Sequence, residues 1–126
     1  MFPEYPDLDE IIDWSASKFG KPQVSGKTLY VPVCNLWVGE KFPGHEEPIL
    51  YEEATLIFED VVSSNRAVFE YLTPDGKGFK DKVIVSDGPF DEVTNKQMYS
   101  FYIGGISYDP FAWIEWEIIA NSLRVE

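Results

Sequence analysis

Cysteine and histidine are each present only once in this chain of 126 residues, as Cys34 and His45. A single cysteine cannot form an internal disulfide or a cysteine-based zinc site. A single histidine, with no acyl-transfer motif around it, gives no support to a Ser-His-Asp or Cys-His catalytic group. Adjacent Glu46 and Glu47 cannot easily converge with His45 on one ion. We therefore predict no bound metal and no cofactor.

Basic residues are also scarce, since 10 Lys and Arg stand against 22 Asp and Glu and the net charge is −12. A field of this sign repels phosphate backbones, so a nucleic acid is not expected as a partner. It also disfavours anionic membrane surfaces, which attract basic segments. The partner classes that remain are a basic protein or a cation, unless the charge serves only solubility.

Long apolar runs are absent as well, because no segment approaches the 18 or so apolar residues of a membrane-spanning helix. The first ten residues, MFPEYPDLDE, have neither the basic start nor the apolar stretch of a secretory signal. From the sequence we expect a cytoplasmic protein that binds no membrane.

Apolar and aromatic residues are plentiful, at 44% and 16% of the chain. This content excludes a disordered tail, and the length suits one domain over residues 1–126. Aromatic and β-branched residues favour pleated, half-buried surfaces, so the composition predicts a β-rich fold.

One helix is predicted near the N-terminus, from about residue 8 to 19. The apolar residues of this segment recur at helical spacing. Asp7 and Glu10 have the spacing of a capping box, and Gly20 suits the position just after a helix. The segment would offer one apolar face to the rest of the fold.

The remainder of the chain reads as strands joined by short turns rich in Gly, Pro, Asp and Ser. The strands are predicted at 27–38, 49–62, 66–72, 79–85, 97–107 and from 111 onward. We expect 49–62 and 66–72 to pair as a hairpin. The fold class is α+β and mostly β, as an antiparallel twisted sheet of six to seven strands or a small sandwich, with one N-terminal helix.

Residues 113–118, WIEWEI, combine two tryptophans with two carboxylates. Read with the alternation of a strand, the even-numbered residues of 112–120 are all apolar and the odd-numbered ones are mixed. Trp116 is therefore predicted in the core, whereas Trp113, Glu115 and Glu117 share the other face. A bulge is expected near 120–122, where the apolar alternation shifts.

Acidic residues are dense between positions 40 and 60, where they outnumber the single lysine. Such a run protects a sheet edge from unwanted pairing or steers a basic partner toward it. Strand 27–38 is apolar on both faces, and one helix cannot cover both. Either the sheet folds over, or an apolar patch is left for a partner or a second copy. The acidic residues carried forward as an interaction surface are Glu46, Glu47, Glu52, Glu53, Glu59 and Asp60.

The leading hypothesis is a small non-enzymatic interaction protein, immunity- or inhibitor-like in size and composition, that binds a cationic protein. Its surface would combine these acidic residues with Trp113, Glu115 and Glu117. One alternative is a carbohydrate or small-ligand module that uses exposed Trp and Tyr side chains. Another is a hydrolase with Glu115 and Glu117 as paired carboxylates. On one strand, however, the two would stand side by side rather than face each other across a substrate.

Overall fold

β-Strands dominate the computed structural model, which describes residues 2–92 and 95–126. Helix α1 is the short segment Leu8–Ile11, and the strands β1 to β10 follow it. Their bounds are Ile12–Asp13, Lys18–Phe19, Gln23–Ser25, Thr28–Val38, Ile49–Glu59, Ser63–Glu70, Val83–Asp87, Tyr99–Tyr108, Phe111–Ala120 and Ser122–Val125. The predicted class, mostly β with one helix at the N-terminus, is confirmed.

The predicted length of the helix is wrong, because α1 ends at Ile11 and the chain then joins the sheet. Ile12 pairs with Val38, and Phe19 pairs with Val33, both on β4. Ile12 and Phe19, which an amphipathic helix would also have buried, are buried here within the sheet, whereas Ala16 is exposed. The spacing of apolar residues over 8–19 therefore did not indicate a helix of that length.

Local hydrogen bonds of short polar side chains also work against a longer helix. The Asp13 carboxylate accepts a bond from the Ser15 amide at 2.9 Å, and the Ser17 hydroxyl donates to the Trp14 carbonyl at 2.8 Å. Such bonds offer the backbone an alternative to helical pairing. The predicted capping box is not formed, since Asp7 makes no side-chain cap bond. No helix in the described part of the chain is long and apolar enough to cross a membrane.

The strands form one 10-stranded sheet rather than the six or seven strands expected. The hydrogen-bonded order is β10-β5-β4-β2-β8-β9-β6-β7, with β1 and β3 also paired to β4. The sheet is mixed rather than antiparallel throughout, because β2 runs parallel to β8. The extra strands are two or three residues long, and their existence depends on the neighbour with which they pair.

The predicted hairpin of 49–62 with 66–72 is wrong. Strand β5 pairs with β4 and β10, whereas β6 pairs with β9 and β7. The chain leaves β5 through Asp60, which has a left-handed φ of 55°. The Val62 amide then bonds to the Ile119 carbonyl at 2.9 Å, which directs the chain toward β9.

Strand β4 is apolar on both faces in sequence, but in the structure it switches faces once. Leu29 and Val33 are buried before Asn35, and Leu36 and Val38 are buried after it. Asn35 has a φ of 54°, a conformation that asparagine tolerates better than most residues. This residue turns the side-chain alternation over, so both apolar sets reach the same core.

The strands of this single sheet enclose one hydrophobic core. The Phe58 ring on β5 lies 5.3 Å from the Phe101 ring on β8, so strands distant in the order meet face to face. At Asn121 the chain passes from β9 to β10, and the Asn121 amide bonds to the Glu59 carbonyl at 3.0 Å. A bulge was expected near 120–122, and the structure instead has a break between two strands there.

Candidate interaction surface

Strand β9 has one buried and one outward face, as its sequence pattern predicted. Trp116 is buried, together with the other even-numbered residues of the strand, Ala112, Ile114, Ile118 and Ala120. Trp113 and Glu115 are exposed, and Glu117 is half-buried. WIEWEI is therefore a half-buried strand. Its outward side chains lie where a partner could reach them.

The inward side of β9 joins a polar network that spans three strands. Trp116 Nε1 donates to Ser64 Oγ at 2.7 Å, and this hydroxyl donates to Asp87 Oδ2 at 2.7 Å. Arg66 Nη2 donates to Asp87 Oδ1 at 2.8 Å, and Arg66 Nε donates to Oδ2 at 3.2 Å. The Arg66 guanidinium also lies 5.2 Å from the centre of the Trp116 ring. Each polar group of the network thus has a partner.

The outward side of the same strands carries a groove of about 460 Å³, which we call the outer groove. Glu115 lies at the middle of its floor, between its cross-strand neighbours Gly104 on β8 and Ala67 on β6. Because these neighbours are small, the Glu115 carboxylate is not covered by adjacent side chains. The outward residues that line the groove are Asn65, Ala67, Ile84, Tyr102, Gly104, Glu115 and Glu117, with Asp9 of helix α1 at its side.

Trp113 borders the outer groove by leaning over Gly104. A Cβ atom added to Gly104 would lie 3.7 Å from Trp113 Cζ2 and 3.4 Å from the Ile114 carbonyl oxygen. Trp113 is 37% exposed. The β8–β9 ladder runs through Gly104 without a bulge. These are ordinary contact distances, so the indole packs beside Gly104 without requiring a glycine there.

The charge in the outer groove is not neutralised within the chain. Across residues 2–92 and 95–126, neither Glu115 nor Glu117 forms a salt bridge with a lysine or arginine. A hydrogen bond with the Glu117 carboxylate is the largest cause that raises the pKa of Tyr102 above 10.0. Tyr102 therefore keeps its proton and adds no charge to a groove that is already anionic.

Further acidic side chains lie on the other side of Tyr102. A second depression of about 250 Å³ is lined there by Glu4, Asp7 and Glu10, and Asp9 contributes to both hollows. This grouping could not be predicted, because these residues fell within or beside the helix expected over 8–19. The end of α1 at Ile11 brings them near β8, where Glu4 forms a bridge with Ser100.

The acidic residues of 46–60 lie elsewhere in the fold. Glu46 and Glu47 are in the loop before β5, and Glu52 and Glu53 are exposed on β5. Strands β4, β2 and β8 stand between β5 and β9 in the sheet. None of these four residues lines the groove in which Glu115 and Glu117 lie.

Two members of the 46–60 group already have cationic partners in the chain. Arg124 Nε lies 2.7 Å from Glu59 Oε1. Asp60 has Lys27 Nζ at 3.5 Å and Lys96 Nζ at 4.0 Å. A partner that binds Glu59 or Asp60 would have to displace these lysines and this arginine. A partner that binds the carboxylates of the outer groove would not.

Three aromatic rings beyond the end of β6, those of Tyr71, Phe79 and Phe111, pack on one another. The Tyr71 ring lies 4.8 Å from that of Phe79 and 4.5 Å from that of Phe111. Their interplanar angles are 30° and 36°, so the rings cover part of each other's faces. A sugar-binding platform needs free, nearly coplanar faces along a groove. Tyr102 is the outward aromatic residue on the lining of the outer groove.

His45 is engaged within its own loop and neighbouring strand. Its Nε2 lies 2.7 Å from the Tyr51 hydroxyl, and its ring meets the edge of Phe42 at 5.4 Å. In the part of the chain that the structure describes, no three His, Cys, Asp or Glu side chains are grouped to hold a metal ion.

No family model, no curated protein and no solved structure matches this chain. The functional conclusion therefore depends on the geometry and charge of the outer groove. Sequence alone selected its carboxylates and Trp113 by strand alternation, but missed Tyr102, Gly104, Ala67 and Asp9. Their alignment beside Glu115 follows from strand register, which no local pattern carries.

Proposed function

We propose that this chain is a small, non-enzymatic interaction protein that binds a cationic segment of a protein partner in the outer groove. A lysine or arginine side chain of the partner would enter between Trp113 and Tyr102 and meet the Glu115 carboxylate. The binding would be immunity- or inhibitor-like, in that an acidic surface covers a basic one. We place the protein in the cytoplasm. Its single cysteine suits a compartment in which proteins are rarely stabilised by disulfides.

The observation that carries the proposal is the position of Glu115. Its carboxylate lies on the groove floor between Gly104 and Ala67, without a cationic partner among the described residues. An aromatic face beside a carboxylate suits a guanidinium or ammonium group, which is attracted by both. Glu117 and Asp9 add negative charge at the rim of the same groove.

The charge of the whole chain supports the same proposal. With a net charge of −12, the protein attracts basic partners over a distance of about one Debye length, roughly 8–10 Å at moderate salt. Such steering increases the association rate more than it strengthens the final complex. We expect the association rate with a basic partner to fall steeply as the salt concentration rises.

The two alternatives have less support from the geometry. For sugar binding, the stacked Tyr71, Phe79 and Phe111 rings offer partly covered faces rather than a free platform. For hydrolysis, Glu115 and Glu117 project from the same side of one strand, whereas paired carboxylates act from opposite sides of a substrate. Both remain predictions from the sequence.

The proposal is tested by titrating the protein with a short oligoarginine peptide at low and at high salt, with amide NMR shifts as the readout. We expect the largest shifts at Gly104, Ala67 and Asn65, which line the groove around the carboxylates. Glu115→Gln should weaken binding about tenfold, as expected for one charged hydrogen bond. Glu52→Gln is the matched control, because it removes the same charge from an exposed site on β5.

Two results would contradict this proposal. One is a set of shifts that clusters on β5 around Glu52 and Glu53 rather than in the outer groove. The other is an equal loss of affinity in Glu115→Gln and Glu52→Gln, which would mean that only the overall charge matters. An oligoglutamate peptide of the same length should give no shifts in the groove.

A further inference from the structure

The floor of the outer groove runs across the strands rather than along them. Glu115 on β9 pairs with Gly104 on β8 and with Ala67 on β6, and Ala67 pairs in turn with Ile84 on β7. Residues directly opposite each other in a sheet share one face, so these four form a row on the outward side. All four line the groove. A partner that follows the row would cross the strands.

The two ends of this row differ in chemistry. At the β8 end, Asp9 lines the groove and also lines the neighbouring depression with Ser100 of β8. At the β7 end, Ile84 is 59% exposed, and Lys82 directly precedes the strand. A cation is therefore favoured from Glu115 toward Asp9. An apolar side chain is favoured over Ile84, because it would remove that aliphatic surface from water.

We propose that the outer groove recognises a two-residue motif in a polyproline II segment of the partner. An arginine or lysine meets Glu115, and an aliphatic side chain three positions away along the partner packs on Ile84. This inference rests on the proposed function, because it takes the contact between a cation and Glu115 as its starting point. It adds the second anchor, the conformation of the segment and the spacing.

The spacing follows from the distance between the two anchors. Glu115 and Ile84 are separated by strand β6 alone, which corresponds to two inter-strand steps or about 9.4–9.8 Å. A polyproline II helix returns to the same side every third residue, after about 9.3 Å. In a β-extended segment, side chains on one side are about 6.7 Å or about 13 Å apart, so neither spacing matches the anchors.

A helical partner does not fit the same groove. Trp113 and Glu117 stand on either side of Glu115 along β9, and four strand residues span about 13 Å between Cα atoms. Their side chains project from the same face and narrow that width. A helix with its side chains is about 10–12 Å across, so it would be held above the floor. A single polyproline II chain is slimmer and reaches Glu115.

The test titrates the full chain with capped peptides that contain Arg-Pro-Pro-Leu or Leu-Pro-Pro-Arg, followed by amide NMR shifts. Both orders are used because the segment can cross the groove in either direction, and proline favours the polyproline II conformation. The control peptides replace leucine with serine, which keeps the charge. The better order should bind about fivefold more tightly than its serine control, with shifts at Ala67 and Ile84. A peptide with Arg-Pro-Leu spacing should lose this advantage.

Two variants of the protein test the second anchor. Ile84→Ser should abolish the difference between the leucine and serine peptides and leave the affinity for oligoarginine unchanged. Val83→Ser is the matched control, because Val83 is 56% exposed on the same strand but points to the opposite face. It should keep the fivefold difference. Glu115→Gln should weaken the leucine and serine peptides by the same factor.

The outcomes separate this inference from the proposed function. Equal affinities for the leucine and serine peptides, with shifts still centred around Glu115, would overturn the inference and leave the proposed function intact. A tighter complex with the Arg-Pro-Leu spacing, or an equal loss in Ile84→Ser and Val83→Ser, would do the same. If neither these peptides nor oligoarginine shifted the amides of the groove, the proposed function would fail and this inference with it.

Discussion

The charged groups on the two faces of β6, β7 and β9 differ in whether they are paired within the chain. On the inward face, Arg66 and Asp87 are bonded to each other twice, and Ser64 links them to Trp116. On the outward face, Glu115 lies between Gly104 and Ala67 with no cationic partner among the described residues. Trp116 on the inward face of β9 thus belongs to a bonded network, whereas Glu115, next to it in sequence, has no cationic partner among the described residues.

The difference follows from what each environment requires. A polar group buried without a partner costs free energy, so the inward groups are satisfied within the chain. An outward carboxylate is satisfied by water and exerts its field on whatever approaches. The inward network is thus expected to support stability, and the outward groove is expected to support recognition. Each of the following substitutions separates these two effects.

The largest expected effect is on stability, from Asp87→Ala. The Asp87 side chain is 8% exposed and that of its partner Arg66 is 18% exposed, so the substitution leaves a mostly buried guanidinium unpaired. We expect a loss of about 3 kcal/mol in the free energy of unfolding, measured by urea denaturation. Asp75→Ala is the control, because its pair with Lys77 is exposed and 3.8 Å long. A loss in Asp87→Ala no larger than that in the control would mean that the network has no structural role.

A smaller loss of stability is expected for Trp116→Phe. Phenylalanine keeps an aromatic ring in the core but removes the Nε1 donor to Ser64 and weakens the contact with Arg66. The loss of one buried hydrogen bond corresponds to about 1–2 kcal/mol in the free energy of unfolding. Oligoarginine binding at the outer groove should not change. If binding fell while stability held, the two faces would not be separable.

The long strands could be predicted from the sequence because their apolar residues alternate over many positions. Strand β9 is the clearest case, and its even-numbered residues were assigned to the core correctly. Strands β1 and β2 could not be predicted, since two residues carry no periodic pattern and exist as strands only through pairing with β4. The switch of faces at Asn35 likewise depends on one backbone angle.

The candidate site was predictable in the same uneven way. Alternation along β9 is local, so it placed Trp113, Glu115 and Glu117 outward. The groove around them is not local, because Gly104 and Ala67 flank Glu115 only in the observed register. Closeness in sequence was also misleading for the 46–60 acids, which lie on β5 and its preceding loop. The binding role of all these residues stays a prediction.

Gly104→Ala should affect recognition and leave stability nearly unchanged. The added methyl group would make ordinary contacts, at 3.7 Å from Trp113 Cζ2 and 3.4 Å from the Ile114 carbonyl oxygen. Because the methyl group also occupies the groove floor beside Glu115, we expect the affinity for oligoarginine to fall about threefold. The free energy of unfolding should stay within about 0.5 kcal/mol of the wild-type value. Peptide titration and urea denaturation of the same sample measure both. An unchanged affinity would show that the peptide does not reach the floor.

The smallest effect expected is a change in the titration of Tyr102. The pKa of this phenol is raised above 10.0, first by the hydrogen bond with the Glu117 carboxylate and next by partial burial. Protonated Tyr102 is therefore favoured in the folded state, so its contribution to stability is present below pH 10.0 and is lost as the pH rises above it. Glu117→Ala removes the acceptor and should lower the pKa of Tyr102 toward 10.0. The pKa is measured from the NMR chemical shift of the Tyr102 Cζ carbon as the pH is raised.

Tyr5 is the internal control in the same titration. Its pKa is raised by burial and by Tyr99, with no contribution from Glu117, so Glu117→Ala should leave it unchanged. If the two tyrosines shifted together, the cause would be a general loss of negative charge rather than a bond at the groove. A shift confined to Tyr102 would instead tie Glu117 to the wall of the outer groove, where it can meet a cation alongside Glu115.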